Sequence, residues 1–355
     1  MEEFYKDKRV LVTGCTGFKG SWMCEALLQM GAEVTGYALE PPTTPNLYSI
    51  LELGKRMKTV IGDIRDLDKL HQVFVESRPE IVIHMAAQPI VRESYKNPVY
   101  TYDVNVMGTV NVLECVRLVD SVKSFVNVTT DKVYKNKEWE WGYRENEELN
   151  GFDPYSNSKS CSELVTESYK NSFFQNRDIS ISTMRAGNVI GGGDFAIDRI
   201  VPDCVRAAVK KERIVVRNPY SVRPYQHVLE PVMAYLLVAK EQYGYSSVAG
   251  SYNVGPRETD CISTGDLATL FCEVWNQLLD TGISWGTVER VGPHEANFLR
   301  LDSSKMKNAF HWSPQWDVKT SIQKSIDVYK AYIRGENVAK VVQGQITEYC
   351  RDLTT

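Results

Sequence analysis

Apolar residues in this chain come in short runs, separated by longer stretches in which they recur every three or four positions. Arg9–Thr13, Glu33–Ala38, Thr59–Gly62, Ile81–Ala86, Phe125–Thr129 and Ile179–Met184 read as strands. Helical spacing fills Ser21–Met30, Asp66–Glu76, Tyr100–Val119 and Asn157–Phe174; in the first of these, Trp22, Ala26 and Leu27 share a face and Gly31 ends the helix. Apolar strands alternating with helices predict an α/β fold: a doubly wound parallel sheet with helices on both faces and ligands at the carboxyl ends of its strands. After Gly187 the pattern turns irregular, punctuated by Gly191–Gly193, Pro202, Pro219, Pro224, Pro256 and Pro293. A smaller mixed α/β region is expected there. Residues 1–186 form the sheet domain, with 226–254 returning to it as a helix and a strand. Residues 187–225 and 255–335 form the second region, closing with an amphipathic helix at Asp317–Arg334, and 336–355 read as a tail.

Composition narrows the class without naming an activity. The 355 residues are 43% hydrophobic and 24% charged, which is ordinary for a globular protein. A net charge of -4 gives no basic footprint for nucleic acid. The longest apolar run, Val232–Ala239, is far too short to cross a bilayer, and Met1–Arg9 is polar. Eight cysteines stand at irregular spacings with no C-x-x-C pair, so reduced thiols are expected and no metal site. The expectation is a cytoplasmic enzyme without nucleic-acid or membrane partners.

Candidate chemistry starts at the turn after the first strand, Gly14-Cys15-Thr16-Gly17-Phe18-Lys19-Gly20. Glycines between a strand and a helix let backbone N–H groups approach a pyrophosphate at the helix N-terminus. Further on, Tyr155-Ser156-Asn157-Ser158-Lys159 sets a phenol and an amine four residues apart on one helical face. A cation near a phenol favours the phenolate, a base able to take a hydroxyl proton while hydride leaves the same carbon. The fifth strand ends in Thr129-Thr130-Asp131-Lys132, which places a hydroxyl, a carboxyl and an amine beside that pair.

The G-x-x-G-x-x-G turn, the Y-x-x-x-K pair and Thr130 together resemble the extended short-chain dehydrogenases/reductases, so the sheet is expected to be of the Rossmann type. The resemblance implies a bound nicotinamide dinucleotide held by Gly14, Thr16, Gly17, Phe18, Lys19 and Gly20. It adds adenine contacts at Asp63 and Ile64, and further cofactor contacts at Ala86, Ala87, Gln88, Thr129, Tyr155 and Lys159. Ala38 stands where an acidic residue often holds the adenosine ribose, and no arginine suits a 2′-phosphate. That position leaves NAD and NADP both open. Asn105 is implied to be a structural hydrogen-bonding residue, and His84 reads as a packed core histidine.

A charged pair after the Ser/Thr resembles the nucleotide-sugar 4,6-dehydratases rather than the simple epimerases. The usual pair there is Asp-Glu; this chain has Asp131-Lys132. Asp131 is assigned as the acid for the departing C6 hydroxyl and Lys132 as the base for the C5 proton, for which the lysine must be neutral. Nearly the whole chain resembles the CDP-glucose 4,6-dehydratase family, from Thr13–Trp22 through Asn127–Tyr134, Glu138–Glu147 and Arg185–Asp194 to Arg217–Pro224 and Pro293–Ala296. That resemblance implies NAD, CDP-glucose as substrate, a role in bacterial dideoxyhexose and O-antigen synthesis, and a homo-oligomer, dimer or tetramer. It departs from the pattern at Cys15 and Phe195. Substrate contacts are expected from Gln88, Arg92, Ser94, Asn188, Arg199, Arg217, Arg223 and His294, the arginines suiting a diphosphate. Two other readings stand beside it. One is a GDP-mannose-type dehydratase or a 4-epimerase. The other is a cofactor-sensing regulator, against which Thr130, Tyr155 and Lys159 together argue.

Overall fold

The computed structural model describes residues 1–287 and 299–352. Seven parallel strands form the central sheet: β1 (Arg9–Thr13), β2 (Glu33–Ala38), β3 (Lys58–Ile61), β4 (Ile81–His84), β5 (Ser124–Val128), β6 (Ser180–Ala186) and β7 (Ser251–Val254). Their order is β7-β6-β5-β4-β1-β2-β3, so the order in which the parallel strands are added reverses between β1 and β4. A crevice opens at such a point, outside the strands' carboxyl ends. Strands β4, β5 and β6 are buried along their whole length, as a sheet covered on both faces requires. Helix α1 (Phe18–Gln29) buries Trp22, Met23, Ala26 and Leu27 on one face of the sheet. Helices α2 (Leu67–Ser77), α3 (Gly108–Leu118) and α4 (Pro154–Tyr169) cover the other.

The second region holds α5 (Ile200–Val209) and α7 (Thr264–Leu279) with three short strand pairs. It has its own core around Val205, Phe271, Trp275 and Ile322. Between these helices in sequence lie α6 (Leu229–Gly244) and β7, which pairs with β6 of the central sheet. The helix expected at Tyr100–Val119 is broken into Pro98–Tyr102, a wider turn at Asp103–Met107, and α3. Helix α8 (Val318–Ile333) carries an Asp317 cap that accepts from Thr320 N at 2.7 Å.

Where the pattern reads a tail, the chain forms a further helix, α9 (Val338–Asp352). Val338, Val342, Ile346 and Tyr349 fall at helical spacing and are buried. Its polar residues tie it down as well: Tyr349 donates to Glu230 Oε2 at 2.6 Å and Gln343 to Glu25 Oε1 at 3.0 Å. The last helix therefore locks α6 to α1, the helix that follows the glycine-rich turn.

Candidate active site

The turn between β1 and α1 is built for close approach. Gly14 has φ +76°, and a Cβ there would come within 2.8 Å of Ala86 N. A Cβ on Gly20 would meet Gly14 O at 2.1 Å. Helix α1 begins at Gly17 with no side-chain cap, which leaves its first N–H groups directed at the crevice. Thr16 is turned away, donating to Leu39 O at 2.8 Å. Ala86 N, beside Gly14, donates to Thr13 Oγ1 at 3.1 Å, and Ala87 follows it in the same open segment. This uncapped, side-chain-free cradle fits a dinucleotide pyrophosphate.

Around the cradle, several expected cofactor contacts hold the protein together instead. Asp63 pairs with Arg65, Nη2 to Oδ2 at 2.8 Å, while its carbonyl accepts from Tyr37 at 2.9 Å. Ile64 is buried against Gly108. Gln88 is buried, with its amide nitrogen on Thr101 at 2.9 Å and its amide oxygen accepting from Ile90 N at 2.6 Å. Thr129 donates to Glu163 and sits under the site as a brace. Asn105 has the structural role implied for it, binding Gln88 O at 3.1 Å and Ser158 Oγ at 2.9 Å. His84 is a core histidine. Thr13 Oγ1 accepts from Met85 N and Ala86 N, so its own proton faces His84 Nδ1 at 2.7 Å, which puts the ring proton on Nε2. Burial pushes that ring down to about 3, so it stays neutral.

Helix α4 carries the phenol and the amine. Asp153 caps it, accepting from Ser156 N at 3.0 Å, and Pro154 occupies the first turn. Tyr155 follows at once, so the cap fixes where the phenol points. Lys159 is buried one turn on and donates to Val128 O at 3.1 Å. Burial pulls its amine down to about 8. The phenol departs from expectation. Burial raises Tyr155 to about 12, with Asp131 and Asp153 pushing the same way and a hydrogen bond with Thr130 and the charge of Arg199 pulling it back. The free site thus holds a neutral phenol, because removing water from an anion outweighs the cations around it.

Beyond β5 the chain turns once through Asp131–Val133, capped by Thr130. Thr130 Oγ1 donates to Asp131 Oδ1 at 3.0 Å, and Lys132 Nζ reaches the same oxygen at 3.1 Å. Asp131 Oδ2 is buried and, among the described residues, lacks a hydrogen-bond partner. Lys132 also donates to Asn188 Oδ1 at 3.4 Å. Lys19, on the first turn of α1, lies 5.7 Å from the Tyr235 ring. Burial lowers its amine to about 7, and Arg199, Lys159 and Lys132 push it the same way against Asp131. Of these amines, Lys132 is the one in contact with Asp131.

The expected substrate residues divide. Arg199 pairs with Asp194 at 2.8 Å, while Arg217 and Arg92 share Asp198 at 2.7 and 3.7 Å. Arg223 is buried beside Pro224, with Nη1 on Val222 O at 3.0 Å. Each of these arginines thus already has a carboxylate or carbonyl partner within the chain. Ser94 is fully buried and bonds Val91 O at 2.6 Å inside its own helix. His294 lies outside the described residues. Tyr134, Trp139 and Tyr143 stack on one another as loop packing.

The sequence reading missed Asp194, Asp198 and Glu163. Glu163 stands four residues after Lys159 on the same face, a visible helical signal. It accepts from Thr129, from Thr183 at 2.6 Å and from Arg185 at 2.9 Å. Among the described residues, no cluster of His, Cys, Asp and Glu suits a metal ion and no helix is long and apolar enough to cross a membrane.

Residues 11–325 match the family described as GDP-mannose 4,6 dehydratase. The chain is 45% identical to the CDP-glucose 4,6-dehydratase of Salmonella typhimurium over 98% of both chains. It is 27% identical to the UDP-glucose 4-epimerase of Mycolicibacterium smegmatis over 91% of this chain and 98% of that one. Among solved structures, the Thermus thermophilus UDP-glucose 4-epimerase in complex with NAD superposes with a TM-score of 0.78 and 25% identity, covering 91% of this chain and 99% of that one. The dTDP-glucose 4,6-dehydratase of Bacillus anthracis, also with NAD, shares the fold at a TM-score of 0.74 and 23% identity, over 94% and 99%.

Proposed function

The chain belongs to the nucleotide-sugar family matched by the GDP-mannose 4,6 dehydratase model, and we propose that it converts CDP-glucose to CDP-4-dehydro-6-deoxy-D-glucose with bound NAD. The observation that carries this reading is the convergence of Thr130, Asp131 and Lys132 with Tyr155 and Lys159 beside the pyrophosphate cradle. An epimerase needs only to take and return hydride at one carbon. A carboxyl and an amine in contact, next to the phenol, supply the further acid and base that loss of water requires.

A nicotinamide dinucleotide with its pyrophosphate on the Gly14–Gly20 turn would supply reversible hydride acceptance when bound. Tyr155, as phenolate, takes the C4 hydroxyl proton, and Thr130 holds the same oxygen. The C4 ketone acidifies the C5 proton, which Lys132 removes as the neutral amine. Asp131 protonates the departing C6 hydroxyl. Arg199, Arg217, Arg223 and Arg92 exchange their present partners for the diphosphate, and Asn188 lines the hexose. NAD rather than NADP is favoured because no arginine follows β2: Leu39, Glu40 and two prolines come next.

Two further readings go with this one. The compartment is the cytoplasm, in keeping with eight free cysteines. The assembly is a homo-oligomer joined through the outer face of α3 and α4, where Leu118 and Leu164 are exposed on the helices, Met107 just before α3 and Phe173 just after α4. The decisive experiment incubates the enzyme with CDP-glucose and follows the alkaline absorbance of the 4-keto product. Turnover of GDP-mannose with none of CDP-glucose would overturn the substrate assignment.

A further inference from the structure

Two arginines and one carboxylate meet where the sheet domain and the second region face each other. Arg92 stands on the short helix Val91–Lys96, which follows β4 and so lies at the carboxyl end of a strand that borders the crevice. Arg217 comes directly after the strand Ile214–Val216 of the second region. Asp198 joins them: its Oδ1 accepts from Arg217 Nη1 at 2.7 Å and lies 3.7 Å from Arg92 Nη1. A guanidinium from each region thus shares a single carboxylate oxygen.

Asp198 is held quite differently from Asp194 in the same loop. Asp194 is buried, accepts from Ala196 N at 3.1 Å as well as from Arg199 at 2.8 Å, and its carbonyl takes the hydroxyl of Tyr329. The carbonyls of Phe195 and Ala196 accept from Arg206 at 3.2 and 3.0 Å. The loop is therefore tied to α5 and α8 as far as Ala196, and Asp198 lies beyond those ties. Its side chain is 35% exposed, and among the described residues it has no side-chain hydrogen bond or ion pair besides the two arginines. Its backbone sits at φ +62°, a left-handed conformation uncommon outside glycine and frequent at ligand clamps. The hydrogen bond from Arg217 holds its carboxyl below the usual carboxylate range, so the group is an anion at neutral pH.

We propose that Asp198 is a stand-in anion: it holds Arg92 and Arg217 together at the crevice in the free enzyme and gives them up to the substrate's diphosphate, and so sets how tightly nucleotide is held. The inference rests on the nucleotide-sugar reading above, in which both arginines receive the diphosphate. A carboxylate offers a guanidinium the same paired acceptor oxygens as a phosphate. Two guanidiniums with no anion between them repel each other and turn apart. Asp198 keeps them converged, but one carboxylate balances only one of them, whereas a diphosphate balances both. The exchange sends a partly exposed carboxylate back to water, where little is lost. It also leaves that carboxylate close to the diphosphate as a like charge. Asp198 therefore weakens the hold on nucleotide in two ways, as a contact to be broken and as a neighbour that repels, and both favour departure of the product.

The test titrates holoenzyme with CDP, the nucleotide part of the substrate, in a calorimeter, and follows CDP release by stopped flow. Asp198→Asn keeps the size of the side chain and removes its charge. Its Kd for CDP is expected to fall by about threefold to tenfold, the scale of one or two partly exposed ion pairs, with a matching slower release. Asp198→Glu keeps the charge and is expected to restore the parental Kd. A damaged loop weakens binding, so tighter binding is a result that lost structure does not give. Asp198→Asn binding CDP as the parent does, or more weakly, would overturn the stand-in role. Arg217→Ala with parental affinity for CDP would take the diphosphate away from this pair and overturn the proposal with it. A parent enzyme that binds GDP and not CDP would instead overturn the substrate reading.

Discussion

Gly187 packs directly against Asp131: a Cβ at that position would stand 3.0 Å from Asp131 Oδ2 and 2.6 Å from Cγ of Pro224. Oδ2 is the buried, unpartnered oxygen of the proposed acid. Gly187→Ala should therefore displace the carboxyl rather than unfold the sheet, since the strain falls on one side chain and one proline. The expected outcome is a fall in kcat of tenfold or more and a stability loss within the usual overpacking range of about 1–3 kcal/mol. Steady-state kinetics with denaturant unfolding checks both. Parental kcat in a stable Gly187→Ala protein would show that the space beside Oδ2 is not used.

Lys132 presents the sharper chemical question. Its amine contacts Asp131 and Asn188, with 30% of its side chain exposed. As the C5 base it must pass on a proton and reach the sugar. Lys132→Met keeps most of the length and removes the amine. Oxidation at C4 should continue while loss of water stalls, by about 10²–10⁴-fold, the range for one acid–base group. In deuterated water the variant should leave C5 unlabelled. Full labelling of C5 by Lys132→Met would pass the base role to another group.

Tyr155→Phe removes the phenol but none of the glycine cradle. Hydride transfer should fall by at least about 10²-fold while dinucleotide stays bound. Releasing that dinucleotide from the parent and the variant and measuring its mass checks two points at once. A mass for NADP in place of NAD would contradict the reading of the residues after β2.

Much of the site could be read in the sequence because its parts are local. The glycine-rich turn, Thr130–Lys132 and Tyr155–Lys159 each lie within a few residues of a strand or helix end. The α/β order placed them at one edge of the sheet. What escaped depends on partners far apart in the chain. Asp198 draws in Arg92 and Arg217 from two different regions, and no spacing announces such a junction. The direction of the Tyr155 shift was also hidden. Lys159 four residues on suggests a lowered phenol, whereas burial, a property of the folded chain, decides the sign. The helix at 338–352 was legible in Val338, Val342 and Ile346, but the span was read as a terminus rather than for its period.

Leu164 is 52% exposed on α4 and Met107 is 50% exposed at the end of the wider turn that precedes α3. A charge at either costs little in a monomer and much in an apolar interface. Leu164→Glu with Met107→Glu should shift the protein to monomer in analytical ultracentrifugation, with the thermal midpoint becoming independent of concentration. An unchanged mass for the double variant would move the interface elsewhere.

Glu230 offers a test of the framework behind the site. It lies on α6, fully buried, and accepts from Trp316 N at 2.8 Å and from Tyr349 at 2.6 Å. Burial outweighs these donors and raises its carboxyl to about 7. The unfolded chain titrates this group near ~4.3. The folded state therefore holds a proton that the unfolded state has released, and stability from this group is complete below about pH 4 and lost as pH rises through about 7. Glu230→Gln keeps a neutral side chain at every pH. It should flatten the stability profile between about pH 5 and 8 and make the variant the more stable protein at the upper end, as urea unfolding would show. A variant that loses stability with pH as steeply as the parent would place the proton elsewhere.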